Sequence, residues 1–112
     1  MGDFESSIKV FKILVEAELD NPWAWLQIGL NYIELKKFQK AIESFNNLLD
    51  IDPNFILGLL EKGVVLGLCK QYKEALDCFD DVLIKDPNNP DALNFKEITL
   101  EYMNQENKSI NL

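Results

Sequence analysis

The chain has 112 residues, enough to build one domain around a continuous core and too few for two. Apolar residues make up 47% of it, an ordinary globular share that excludes disorder over most of its length. A formal charge of −8, from 19 acidic and 11 basic side chains, repels phosphate backbones and anionic lipid, so nucleic acid and membrane are not expected partners.

The first predicted element runs from Phe4 to Glu18, with Phe4, Ile8, Phe11 and Leu14 recurring three and four apart, which is helical spacing. A second helix starts at Pro22, a residue suited to the first turn, and carries Trp25, Ile28, Gly29 and Tyr32 toward Lys37. The third spans Phe38 to Ile51 with Ala41, Phe45 and Leu48 on its inward stripe, and Asp52-Pro53-Asn54 stops it because proline cannot continue the hydrogen-bond ladder. A fourth helix, Ile56 to about Lys70, and a fifth, Tyr72 to Lys85, repeat that plan and end at Asp86-Pro87. A sixth starts at Pro90 and is expected to end near Asn104, leaving a polar, fraying tail over residues 105–112. No segment alternates strictly or carries a hairpin turn, so no strand is predicted.

These helices are copies of one unit with a period of 34 residues. Phe4, Phe38 and Tyr72 fall in register, as do Phe11, Phe45 and Phe79, and Ser7, Ala41 and Ala75 keep a small residue at one place. Gly29 matches Gly63, and Asp52-Pro53-Asn54 matches Asp86-Pro87-Asn88 outright. The chain therefore reads as one domain over residues 1–112: a half unit at 3–21, full units at 22–55 and 56–89, and a terminal helix at 90–104.

Catalytic chemistry has little to stand on. All the basic residues are lysines, and without His or Arg there is no neutral-pH proton shuttle and no bidentate fork for phosphate or carboxylate. Any nucleophile-and-base scheme would lack its imidazole, so no enzyme and no cofactor are expected. Gly58, Gly63 and Gly67 are spread along a helix and form no phosphate loop. Asp77, Asp80 and Asp81 lie on a predicted helix, where an irregular calcium loop cannot form, and read as a solvated acidic face. Cys69 and Cys78 are too few for a zinc site without His, so no metal site is expected. They read as reduced thiols, which favours a cytoplasmic setting. The acidic, polar opening Met1-Gly2-Asp3-Phe4-Glu5-Ser6 is unlike a secretory leader, and no apolar run approaches the roughly 18 residues that span a bilayer.

Trp25, Ile28-Gly29, Tyr32, Ala41, Phe45 and Pro53 stand at the spacings of the tetratricopeptide repeat, and Leu59, Gly63, Ala75, Phe79 and Pro87 meet them again, with Lys62 and Leu66 departing from the pattern. The chain resembles that family from Phe4 to about Tyr102. The resemblance implies an all-α fold: a right-handed α-solenoid of antiparallel helix pairs, about six helices in all. It further implies that the first helices of successive units line a concave groove for a partner. By register that groove is expected to hold Trp23, Leu26, Leu30 and Ile33, then Leu57, Leu60, Val64 and Leu68, then Asn94, Ile98 and Glu101, with Gln27, Glu34 and Glu61 as a polar rim. Leu30 and Leu60 are expected to be the most open. Family members that clamp the acidic tail of heat-shock chaperones place Lys, Asn and Arg at such positions. Here those places hold Leu26, Leu30, Gln27, Leu57 and Glu61, and the clamp is missing. The implied function is a scaffold for protein–protein interaction whose apolar groove takes a peptide or amphipathic helix of a partner protein. The alternative is a structural repeat that assembles with itself into a homo-oligomer, through the groove or the half-unit ends.

Overall fold

The computed structural model describes residues 4–17 and 21–110, except the side chains of residues 11, 14–17, 109 and 110. Six helices account for nearly all of it: α1 (Phe4–Ala17), α2 (Pro22–Glu34), α3 (Phe38–Ile51), α4 (Ile56–Leu68), α5 (Tyr72–Lys85) and α6 (Pro90–Ile110). The side chains of Phe11 and Leu14, which share the helical spacing of the first element, lie outside those described. The chain divides into two compact units, Met1–Gly58 and Leu59–Leu112.

In the first unit α2 packs on both α1 and α3. Asn21 starts α2: its Oδ1 accepts a hydrogen bond from the Ala24 amide at 3.3 Å, satisfying a donor that the first turn would otherwise leave bare. The core is built from Ile28, Ala41, Phe45 and Leu48, none of which retains measurable exposure. Gly29 is what lets α2 and α3 close. A methyl group at its Cα would sit less than 3.0 Å from three carbons of the Phe45 ring, so only hydrogen fits.

The second unit repeats this construction 34 residues later. Ala75, Phe79 and Val82 replace Ala41, Phe45 and Leu48 in the interior, and a methyl group at Gly63 would press on the Phe79 ring as one at Gly29 presses on Phe45. α6 packs against α5 and is capped by Asn89, whose Oδ1 accepts from the Ala92 amide at 2.9 Å. Lys96 Nζ meets Asp80 Oδ1 at 2.8 Å across that pair, so the acidic run on α5 is in part a docking edge for α6.

Three helix ends differ from the sequence reading. α2 stops at Glu34 and α4 at Leu68, before the lysines expected to close them. Lys36 and Lys70 each take a left-handed conformation, φ 59° and 62°, and the amides of Lys37 and Gln71 turn back to the carbonyls of Tyr32 and Leu66 at 2.9 Å. A helix stop of this kind ordinarily announces itself with glycine, and here no glycine marks it. The other difference is α6, which continues to Ile110 rather than fraying after Asn104; Lys70 Nζ reaches Glu106 Oε1 at 3.3 Å and ties down the stretch expected to be a polar tail.

Two measurements test this packing. Gly29→Ala and Gly63→Ala should each lose about 1–3 kcal/mol in denaturant unfolding despite alanine's better helix propensity, because the buried ring behind each has nowhere to go. Asn31 is buried and its Nδ2 makes no hydrogen bond among the described residues, whereas the second unit has fully buried Val65 at the same register. Asn31→Val should therefore raise stability by about 1 kcal/mol, and a loss of that size would show that the amide is satisfied after all.

Candidate functional site

The residues assigned to a groove by register do not share one fate. Position around the helix decides it. In α2, Leu26 is buried, Leu30 and Ile33 are half-buried, and Gln27 is exposed, its Nε2 donating to Asn31 Oδ1 at 3.3 Å. Trp23 stands 63% exposed, with its ring edge-on to Phe55 at a centroid distance of 4.8 Å. Leu57 is also exposed at the start of α4. This gives the first unit a small apolar surface of Trp23, Phe55 and Leu57.

In the second unit the expectation that Leu60 is open is corrected: it is 6% exposed and belongs to the core. The reason is helical geometry. Leu60 lies one turn before Gly63 and only about 60° around the helix from it, so it turns toward the packed side; Leu26 stands in the same relation to Gly29. Val64 is half-buried, Leu68 is 56% exposed, and on α6 both Asn94 and Ile98 are exposed.

Three of the expected residues come together. Val64 and Leu68 on α4 and Ile98 on α6 line a cleft of about 610 Å³ that opens among α4, α5 and α6. Such a volume falls within the range of ordinary ligand pockets. Thr99 and Tyr102 on α6 complete one wall, and the rings of Phe79 and Phe95, 5.7 Å apart, contribute aromatic surface. The Thr99 hydroxyl is satisfied within its own helix, donating to the Phe95 carbonyl at 2.6 Å. At one end of the cleft lie Tyr72 and the Lys70–Glu106 ion pair. Asn94 does not line it.

Most of this lining went unread in the sequence. Tyr102 stands 34 residues after Leu68 and is available by register, but Glu106 falls in the stretch expected to be a polar, fraying tail. Gly67 was read only as one more glycine along a helix. It is unlike the others: a methyl group there would meet nothing within 4 Å.

The electrostatics of the second unit are those of a sparsely paired acidic surface. Glu61 lies on the same face of α4 as Val64 and Leu68, and burial pushes its carboxyl pKa above the usual value. The fold thus favours its neutral form: this position contributes stability below the ordinary carboxylate range that is lost as pH rises through the raised pKa. Cys78 is buried, and desolvation raises its thiol to about 11, which leaves it inert at neutral pH; Cys69 is half-buried and likewise free. Among the described residues no group of three or more His, Cys, Asp or Glu side chains could hold a metal ion, and no helix is long and apolar enough to cross a membrane.

This geometry has known counterparts. Residues 22–55 match the tetratricopeptide repeat family. A stretch of 65 residues, 58% of this chain, is 32% identical to the BBSome complex member BBS4 of Bos taurus and spans 12% of that protein's length. Among solved structures, the first TPR domain of the human RPAP3 protein is similar with a TM-score of 0.87, at 21% identity, covering 95% of this chain and 84% of that one. The second TPR domain of human RPAP3, in complex with the HSP70 peptide SGPTIEEVD, gives a TM-score of 0.80 at 18% identity, covering 86% of this chain and 80% of its own. Residues 22–55 thus form a tetratricopeptide repeat, and the chain has an all-α fold of paired helices like that of tetratricopeptide repeat domains.

Burial separates core from surface among the expected groove residues, and a matched pair of charges tests the separation. Leu60→Glu should cost several kcal/mol in denaturant unfolding because it strands a carboxylate in the core. Leu68→Glu, on the same helix, should stay within about 0.5 kcal/mol of the wild type. Equal losses would contradict the assignment of faces.

Proposed function

We propose that this chain is a non-enzymatic interaction module, working in the cytoplasm, that docks an apolar or amphipathic segment of a partner protein on its first-helix faces. One observation carries the reading: Trp23, Leu57, Leu68 and Ile98 are exposed, yet the core is closed without them. Val10, Ile13 and Ile84 are exposed on other helices, but Trp23 stands against Phe55, and Leu68 and Ile98 line a cleft, where an apolar segment of a partner can cover them. The HSP70 peptide held by the RPAP3 domain shows that this fold serves peptide recognition there. That peptide is acidic toward its end, and here Leu30, Gln27, Leu57 and Glu61 stand where the register would call for cations, on a chain of charge −8. The partner proposed is therefore not an acidic tail.

Self-assembly is the second reading, and it is favoured by Leu93 and Leu100, which are exposed on α6 where a following helix would cover them. Glu97 opposes it. It stands at the register of Gly29 and Gly63, while Phe11 of a second copy's first helix stands at the register of Phe45 and Phe79. Even a methyl group at the two glycines would press on those rings, so a glutamate facing Phe11 could not rebuild the unit in the same way.

Titrating the protein with a panel of amphipathic helical peptides of both net charges, read by backbone NMR shifts, tests the proposal. At least one peptide should saturate, with its largest shifts at Trp23 and Leu57 or at Leu68 and Ile98, and sedimentation should give a monomer at every concentration. A mass that grows with concentration would transfer the apolar surface to self-assembly; the absence of any saturating peptide would remove the docking role.

A further inference from the structure

Gly67 poses the question from which the inference starts. Glycine inside a helix costs roughly 0.5–1 kcal/mol relative to alanine, and Gly29, Gly58 and Gly63 offset that by admitting a neighbour where a methyl group would not fit. Gly67 admits nothing: the space beside it is open. Nor does it serve the helix stop, since the left-handed residue is Lys70 and no described glycine takes a positive φ. The first unit carries Ile33 at the same register, so the local backbone accepts a large β-branched side chain there. What the glycine does is leave the cleft unfilled.

The rest of the cleft indicates what would fill it. Val64, Leu68, Phe79, Ile98 and Tyr102 make it apolar, and Leu68 and Ile98 both line it and remain open to solvent. An occupant must cover these two as well as fill the space, which a helix laid along α4 and α6 does with one anchoring side chain and its neighbours. The only lysine lining the cleft, Lys70, is already paired with Glu106. Glu61, two turns before Leu68 on the same face, has no hydrogen bond or ion pair among the described residues and is half-buried, and exposed Glu101 lies beside Tyr102 on the other helix. The unmet charge at this surface is negative, in keeping with the chain as a whole.

We infer that the cleft of the second unit is an anchoring site for a cationic amphipathic helix of a partner protein, which seats a bulky apolar side chain over Gly67 and brings a Lys or Arg to Glu61. Resting on the docking role proposed above, it adds the place, the sign of the partner's charge and the residue that sets the size of its anchor. Gly67 acts as the specificity-determining position, where the first unit carries Ile33 by register.

Two labelled helical peptides of about 16 residues, sharing one Leu/Phe face and flanked by either Lys or Glu, test this against the full chain. The Lys peptide should saturate, and the Glu peptide should bind at least about tenfold more weakly. Gly67→Ile should weaken the Lys peptide about tenfold or more while the melting temperature stays near that of the wild type; if that variant melts early, Leu68→Glu provides the same readout from an exposed position. Glu61→Gln should weaken the Lys peptide severalfold and should not weaken the Glu peptide. Equal affinity for wild type and Gly67→Ile, or equal affinity for both peptides, overturns the inference, as does dodecanoate filling the cleft while neither peptide binds. If the Lys peptide binds but yields to Leu57→Glu rather than to Gly67→Ile, the docking role stands and the cleft assignment falls; failure of every peptide in the wider panel overturns both.

Discussion

In each unit one glycine faces one phenyl ring, and that contact governs the spacing of the helix pair. Gly29 against Phe45 and Gly63 against Phe79 let two helix backbones approach as far as a missing side chain allows, and the ring fills what remains. The small residues Ala41 and Ala75, both fully buried, follow from the same requirement on the opposite helix. Once the pair is held at that distance, the angular position of every other residue on the first helix is fixed. Leu26 and Leu60 are turned inward, and Trp23 and Leu68 are left outside. The surface available for recognition is what remains of the first helix after this contact has claimed its side.

Much of this could be read directly from the chain. The 34-residue register and α3 and α5 to the residue were legible, as were the repeated glycine and the repeated phenylalanine, because each depends on side-chain size at fixed spacing. Two kinds of feature were hidden. The helix stops at Lys36 and Lys70 use a conformation that sequence reasoning assigns to glycine, so α2 and α4 were drawn too long. The end of α6 was drawn too short, because Glu106 is polar and only its distant partner Lys70 reveals why the helix persists.

The candidate site was less legible than the fold. Register could select the helix but could not separate Leu60 from Val64, which differ by about 40° around α4 and yet lie on opposite sides of the boundary between core and cleft. Nor could register tell a structural glycine from a spatial one. Gly63 and Gly67 are a turn apart in the same helix; one is pinned by a ring and the other borders empty space, a difference that appears only when their neighbours are known.

The three residues at one register, Ile33, Gly67 and Glu101, show what such an arrangement permits over time. They differ as much as side chains can: one branched and apolar, one absent, one charged. None of them is the glycine or the ring of the contact that spaces the helix pairs. A lineage can therefore redraw what each copy recognises through substitutions that selection for foldedness hardly notices. Duplication supplied this chain with several versions of one position, free to drift apart while the frame beneath them stayed the same.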